Sequence, residues 1–256
     1  DKSFDVPRVT PVTKPHTFVF IMSFSTVRGL FFWEAIMKLN KFIVSFEGQD
    51  MHFLKKYGFF KAARMVKKHY KKNSTPFIND TYQLANELRI FHKDVFKLSK
   101  NARKHYNLIM LRKKNGGLRY IHSPDASLKS VQREILERIL SNVDISPYAT
   151  AYVKGKKLKD NAEPHTNHKY LLKMDITDFF GSITYLQVIS SAFNANRFPV
   201  QIGAILTSLC CLDDVLPQGA PTSPALSNIV MKNFDDIIGA WCKKRNISIH
   251  HFTVYK

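Results

Sequence analysis

The sequence predicts an α+β fold, and three of its patterns point to that class. Stretches with apolar residues at helical spacing occupy much of the chain after residue 50. Two apolar runs on either side of a basic Asn-Gly-Gly turn, residues 115–117, are typical of a β-hairpin. A short apolar run at residues 170–175 has the length of a buried strand. With 256 residues and 45% hydrophobic content, the chain can bury a sizeable core.

Helices are predicted before and after the hairpin. The first is basic and amphipathic, covers residues 51–72 and is ended by the Asn-Ser-Thr-Pro sequence at residues 73–76. Further helices are predicted at residues 80–91, 94–106, 127–143, 186–209 and 222–244. The one at 186–209 is expected to break near Pro199, because proline cannot continue a helix. Residues 248–255 alternate in polarity, like the first strand of a second hairpin.

The charge of the chain predicts a polyanionic partner. Lys and Arg number 39 against 20 Asp and Glu, which gives a formal net charge of +19. This excess favours nucleic acid first and an anionic membrane surface second, and a merely solvated basic surface is the remaining alternative. A membrane anchor is not predicted, because the apolar run at residues 17–33 is interrupted by Arg28 and is short for a membrane span.

The cysteines indicate a reducing, cytoplasmic environment, since they are few and odd in number. They are Cys210, Cys211 and Cys242. Their spacing does not fit a zinc site, so we expect all three to pack in the core.

The start of the chain matches no pattern that can be placed, and residues 1–50 stay unassigned. The chain begins at Asp1 rather than at a methionine. Two explanations stay open: the chain is a fragment, or its reading frame is opened too far upstream. In the second case residues 1–36 are an extension outside the native fold, and Met37 or Met51 is the native first residue.

Asp175 is the first candidate for chemistry. It stands at the end of the apolar run, where a carboxylate is costly to bury unless it is paired or binds a cation. Mg²⁺ favours one or two carboxylates together with phosphate oxygens and water. An aspartate in a surface turn is the alternative, but the aromatic pair Phe179 and Phe180 that follows needs either packing or a ligand. The pattern favours a metal site at this strand end.

A second candidate is the turn that holds Gln218 and Gly219 between Pro217 and Pro221. Glycine allows a ligand to approach the backbone closely, and the prolines fix the turn. The helix that follows would direct the positive end of its dipole toward a bound anion. A rigid helix entry without a ligand is the alternative.

The hairpin tip supplies basic side chains. Lys113 and Lys114 lie in the turn, and Arg119 follows on the second strand. Such a group suits a triphosphate, because arginine can form two parallel hydrogen bonds with phosphate oxygens. A solvated basic turn is the alternative.

Taken in order, these motifs resemble those of reverse transcriptases, most closely the bacterial retron type. The similarity covers residues 106–256. LRYIHSP at 118–124, followed by LKSVQ at 128–132, is similar to the fingers motif. MDITDFFGSI at 174–183 is similar to the first catalytic aspartate motif, and LPQGAPTSP at 216–224 to the motif that shapes the nucleotide pocket. NAEPH at 161–165 fits the retron-specific Asn-Ala-x-x-His signature.

The resemblance implies a right-hand polymerase without its thumb. Residues 51–105 would form a basic helical N-terminal region, residues 106–165 the fingers and residues 166–256 part of the palm. It also implies a cytoplasmic enzyme that uses two Mg²⁺ ions, with Mn²⁺ as a substitute. Asp175 and the carbonyl of Ile176 would bind these ions.

The same resemblance assigns the nucleotide contacts. Arg119 would hold the triphosphate with Lys113 or Lys114, and Phe180 would exclude a ribose 2′-hydroxyl. Gln218 and Gly219 would lie beside the incoming dNTP.

Three further motif residues receive less specific roles. Asn161 and His165 would organise the loop before the palm or contact the structured RNA. For Asp178 a structural hydrogen bond is expected rather than catalysis.

The implied function is RNA-directed DNA synthesis from a structured RNA template, with an RNA/DNA hybrid as product. The resemblance also implies a role in antiphage defence, with an effector protein as a further candidate partner. The family's Tyr-x-Asp-Asp motif would place its two aspartates directly after Lys256, so the 256 residues alone are expected to be inactive. Two alternatives stay open: a group II intron-like reverse transcriptase, and a non-catalytic RNA-binding protein on a decayed palm fold.

Overall fold

A computed structural model describes residues 61, 64–65, 68–69, 72–112, 116–153, 155–166 and 170–249. The chain divides into two units, residues 1–71 and 72–256. In the first unit the described residues are all helical, which agrees with the helix predicted at 51–72. The remainder of that helix and the predictions for residues 1–50 lie outside the described residues.

The second unit begins with two helices, α1 (Thr81–Glu87) and α2 (His92–Lys100). Asp80 caps α1, since its carboxylate accepts hydrogen bonds from the N–H groups of Tyr82 and Gln83 at 3.0 and 2.9 Å. Their apolar positions are buried in the common core: Leu84, Leu88, Val95 and Leu98. The helices predicted at 80–91 and 94–106 are thus confirmed in place, although α2 ends early and a 3₁₀ turn, Ala102–His105, follows.

The predicted hairpin is confirmed. Strand β1 (Tyr106–Arg112) pairs antiparallel with β2 (Leu118–Pro124), in a register that sets Tyr106 opposite Pro124 and Arg112 opposite Leu118. The tip at residues 113–115 is outside the described residues. Among the residues that are described, the strands form this one two-stranded sheet.

A helical stretch follows the hairpin where residues 127–143 predicted it. It consists of α3 (Ala126–Glu134), a π-helical turn (Ile135–Ile139) and a 3₁₀ turn (Leu140–Asn142). A short helix α4 (Leu158–Ala162) and a 3₁₀ turn (Glu163–His165) contain the Asn-Ala-x-x-His residues.

The last part of the unit is mainly helical: α5 (Tyr185–Ser191), α6 (Val200–Cys210) and α7 (Ser223–Lys243). The break between α5 and α6 confirms the effect predicted for Pro199, which directly precedes α6. Helix α6 packs against α2, α3 and α5, and Ile202, Leu206 and Leu209 on it are at most 1% exposed. The core of the second unit is therefore built around α6.

The prediction of a buried strand at residues 170–175 is wrong. These residues form no strand, and Tyr170, Leu171, Leu172 and Met174 are 73–82% exposed. A strand needs a neighbour to satisfy its backbone N–H and C=O groups, and among the described residues no strand lies beside this segment. Most of the strand predicted at 248–255 lies outside the described residues, and Ser248 and Ile249 are not in a strand.

The cysteine prediction is confirmed. Cys210, Cys211 and Cys242 are buried and free. Burial raises the pKa of Cys211 to about 12 and also raises that of Cys210, so both thiols stay protonated at neutral pH. In the described part of the chain, no helix has the length and apolar character needed to cross a membrane.

Candidate nucleotide and template site

The turn with Gln218 and Gly219 docks directly on strand β2. The N–H of His122 donates a hydrogen bond to the carbonyl oxygen of Gln218 at 2.8 Å. Gly219 has a φ of +129°, and a Cβ on it would lie 2.7 Å from both the His122 carbonyl oxygen and Ile121 Cγ2. Only glycine allows this approach, because a side chain would collide with the strand. The turn and the hairpin are therefore in direct backbone contact.

The same turn is anchored at both of its ends. Leu216 is buried, and its N–H donates to the carbonyl of Ile183 at 3.0 Å. At the other end, the hydroxyl of Ser223 donates to the carbonyl of Pro217 at 2.7 Å, where helix α7 begins. Gln218 itself is half-buried and Gly219 is exposed. These bonds hold the turn so that its tip meets solvent beside β2.

The segment after Asp175 is fixed by its aromatic pair. Phe180 is 6% exposed and lies in the core, with the ring of Phe179 at a centroid distance of 5.6 Å. Asp178 adopts a positive φ of 46°, and its carbonyl accepts a hydrogen bond from the N–H of Ser182 at 2.9 Å. A tight turn thus links the exposed residues 170–176 to the core.

Asp175 lies on the exposed side of that turn. Its carboxylate is exposed, and the neighbouring Ile176 is 50% exposed. An exposed carboxylate fits a ligand of Mg²⁺. In the described ranges no three His, Cys, Asp or Glu side chains come together, so these residues do not complete a two-ion site.

Backbone hydrogen bonds join the three sequence motifs. The Ile183–Leu216 bond ties the end of the aspartate motif to the Gln-Gly turn, and the His122–Gln218 bond ties that turn to β2. Arg119 stands three residues before His122 on β2, is partly buried and lies opposite Leu111. The structure therefore brings the strand of Arg119 to the turn of Gln218, whereas Lys113 and Lys114 lie outside the described residues.

Phe180 is deeper than a nucleotide contact would require. Its ring belongs to the main core cluster, which leaves little of its surface for a ligand in this arrangement. Its predicted discrimination against a 2′-hydroxyl stays a prediction.

The Asn-Ala-x-x-His segment is held by the loop before it. The hydroxyl of Thr150 donates to Asn161 Oδ1 at 3.0 Å, and the amide of Asn228 on α7 donates to the carbonyl of Ala151 at 2.8 Å. Asn161 is thereby connected through this loop to α7, while His165 is half-buried in the following 3₁₀ turn. These contacts fit an organising role for Asn161.

The sequence patterns did not predict that the loop around residues 146–151 packs against α7. The Ser146 hydroxyl donates to Asp236 Oδ1 at 2.6 Å, and the ring of Tyr148 occupies the space that a side chain at Gly239 would fill. Gly239 was the available signal, because a glycine inside a long helix is costly and indicates close packing.

The structure thus joins the arginine-bearing hairpin, the Gln-Gly turn and the end of the aspartate motif in one arrangement. The chain belongs to the reverse transcriptase family: the family model described as reverse transcriptase (RNA-dependent DNA polymerase) matches residues 111–253.

Among curated proteins, the chain is similar to retron reverse transcriptases. It is 30% identical to Retron Ec86 reverse transcriptase of Escherichia coli over 174 residues, covering 67% of this chain and 54% of the relative. It is 35% identical to Retron Ec83 reverse transcriptase of Escherichia coli over 158 residues, covering 58% and 50%. For Retron Mx65 reverse transcriptase of Myxococcus xanthus the identity is 34% over 149 residues, covering 52% and 35%.

These matches confirm the predicted resemblance to the retron type and favour it over the group II intron-like alternative. The chain spans about half the length of the first two relatives, 54% and 50%.

Proposed function

We propose that this chain contains the nucleotide and template site of a retron-type RNA-directed DNA polymerase, which adds dNTPs to a primer along a structured RNA. The observation that supports this most is the pair of backbone bonds, His122–Gln218 and Ile183–Leu216, that joins three motifs of the reverse transcriptase family. A role in antiphage defence, an effector protein as partner and a cytoplasmic location belong to the same proposal and rest on the retron relationship.

In this proposal each motif has its own task. Arg119 holds oxygens of the triphosphate with its planar guanidinium, assisted by Lys113 or Lys114. Because β2 is bonded to the Gln-Gly turn, the triphosphate and the Gln218 side chain are kept at a fixed separation. The predicted exclusion of a ribose 2′-hydroxyl by Phe180 belongs to the same proposal.

Asp175 and the Ile176 carbonyl would hold a divalent cation, Mg²⁺ with Mn²⁺ as a substitute. When bound, such ions neutralise the triphosphate and lower the pKa of the primer 3′-hydroxyl. The task of Asp175 is to direct its exposed carboxylate at that position. The net charge of +19 supplies the attraction for RNA and for the RNA/DNA hybrid.

The test is RNA-templated primer extension by a fused protein, in which residues 1–256 are followed by the C-terminal half of Retron Ec83 reverse transcriptase. We expect the fused protein to incorporate dNTPs in Mg²⁺. The substitution Asp175→Asn should slow incorporation at least about a hundredfold, since it removes a charged metal ligand. Asp144→Asn is the matched control, because Asp144 is 91% exposed and lies outside the proposed site.

The 256 residues expressed by themselves should bind RNA but not incorporate dNTPs. The sequence contains no Asp or Glu after Asp236, and a two-ion site needs more than the one carboxylate of Asp175. Incorporation that persists in the fused Asp175→Asn variant would contradict the proposed site. RNA binding without any incorporation by the fused protein would favour the non-catalytic alternative.

A further inference from the structure

Helix α2 presents a basic face formed by residues that do not belong to the site described above. Lys93, Lys97 and Lys100 are exposed and lie three and four residues apart, which places them on one side of the helix. The opposite side is buried through Val95 and Leu98. Within the described residues, Lys97 and Lys100 take part in no ion pair. Their positive charges are therefore available to a ligand.

Aromatic rings stand beside these lysines. Tyr82 of α1 stacks on His92, the first residue of α2, with ring centroids 3.8 Å apart and planes 5° apart. Phe96 meets the edge of the same imidazole at 5.5 Å. His92 is also fixed by Thr81, whose hydroxyl lies 2.7 Å from Nε2. The rings are thus held in place before any ligand arrives.

The outer surfaces of these aromatic residues remain accessible. Phe91 is 70% exposed, Tyr82 47% and Phe96 39%. Lys93 Nζ lies 5.8 Å from the centroid of the Phe91 ring, so charge and ring alternate along the surface. An exposed ring of this size costs hydration free energy, and three of them beside unpaired lysines indicate a binding surface.

We infer that this surface binds a single-stranded segment of RNA. We call it the α1–α2 face, defined by Tyr82, Phe91, Lys93, Phe96, Lys97 and Lys100. Phosphates would be neutralised by the lysines, and unpaired bases would stack on the aromatic rings. The inference rests on the proposed function for the identity of the RNA, and it adds a second contact outside the Asp175 site.

The mixture of charges and rings favours single-stranded RNA over other partners. A lipid bilayer or a hydrophobic protein groove would require a continuous apolar stripe, whereas lysines interrupt the aromatic residues here. An acidic protein would pair with the lysines but would leave the rings exposed. The one acidic residue of α2, Asp94, lies in its first turn, and the charged residues of its last turn are Lys97 and Lys100.

The experiment measures RNA affinity of the full 256-residue chain by fluorescence anisotropy. The probe is an unstructured, labelled RNA of about ten nucleotides, within the range that one stacking surface accommodates. The test variant is Lys97→Gln/Lys100→Gln. Its matched control is Lys243→Gln/Lys244→Gln, which removes the same charge from exposed lysines at the end of another helix.

We expect the test variant to bind the RNA about fivefold to tenfold more weakly at about 100 mM salt, and its salt slope to fall by about 1.4, because each phosphate contact on a single strand contributes about 0.7. The control should stay within about twofold of the unchanged chain. Phe91→Ala should weaken binding at least about fivefold through lost stacking, while a duplex of the same sequence should compete poorly. Equal melting temperatures of all variants would show that the fold is retained.

The outcomes separate this inference from the proposed function. If the test variant and Phe91→Ala bind RNA as tightly as the unchanged chain, the α1–α2 face is not an RNA surface, although the fused protein can still extend a primer. If RNA binding falls as expected while the fused protein never extends a primer, the proposed function is wrong and the RNA surface stands. Duplex RNA that competes as well as single-stranded RNA would overturn the stacking role.

Discussion

At the scale of single residues, Gly219 allows the Gln-Gly turn to pack directly against strand β2. Its backbone lies against the carbonyl of His122 and the side chain of Ile121, at a φ that favours glycine. Arg119 lies three residues before His122 on β2. Its position therefore depends on Gly219, a residue that has no side chain. The sequence singled out Gly219 for close approach to a ligand, but the structure shows a close approach to a strand.

The substitution Gly219→Ala should separate the turn from the hairpin. We expect it to lower the free energy of unfolding by about 1–3 kcal/mol and to slow dNTP incorporation by the fused protein at least tenfold, since Arg119 would no longer be held in place. Chemical denaturation and primer extension measure the two effects.

Gly116→Ala is the control for backbone strain. Gly116 also has a positive φ, +82°, but a Cβ there would meet no atom within 4 Å. If Gly219→Ala is no more harmful than Gly116→Ala, the contact with β2 does not matter for the site.

At the scale of elements, the link between β2 and α3 depends on Asp125. Its carboxylate accepts a hydrogen bond from the N–H of Leu128 at 2.9 Å and lies 2.7 Å from Nδ1 of His105. Partial burial acts to raise the pKa of Asp125, but these hydrogen bonds outweigh it and hold the pKa below its usual range. The carboxylate caps α3 and joins it to the residue that precedes β1.

This cap predicts a pH dependence of stability. Asp125→Ala should lower the free energy of unfolding by about 1 kcal/mol at neutral pH. Because the pKa is depressed in the folded state, this contribution is present above the unfolded pKa, about 3.9, and is lost as the pH falls through the folded value. Denaturation of both proteins from pH 7 to pH 3 tests it, with Asp144→Ala as the control. A difference that does not narrow below about pH 4 would contradict the role of the charge.

Local sequence patterns predicted most helices and the hairpin. They could not predict features that depend on contacts between residues distant in sequence. The hairpin followed from its turn residues, and the break before α6 followed from Pro199, because both signals act within a few residues. The prediction of a strand at residues 170–175 was wrong, because an apolar run does not indicate whether another strand is available to pair with it. The contact between His122 and Gln218 joins residues distant in sequence, so no local pattern could predict it. Motif similarity alone assigns the site residues, so their nucleotide roles stay predictions.

At the scale of the whole molecule, charge and family membership agree. A net charge of +19 favours a nucleic-acid partner, and the family model covers residues 111–253, which include the hairpin, the Asp175 segment and the Gln-Gly turn. The α1–α2 face lies before that range, in the basic helical region. The proposed nucleotide and template site and the proposed surface for unpaired RNA therefore consist of different residues.

The measurement that tests the central claim most directly is photo-cross-linking of 4-thiothymidine triphosphate to the fused protein on an RNA template with a DNA primer. We predict that the cross-linked peptides come from β2 around Arg119, from the turn at Gln218, or from the segment that begins at Asp175, and that unlabelled dTTP competes with the label. A label confined to other parts of the chain, and insensitive to that competition, would contradict the claim that these three motifs form one nucleotide site.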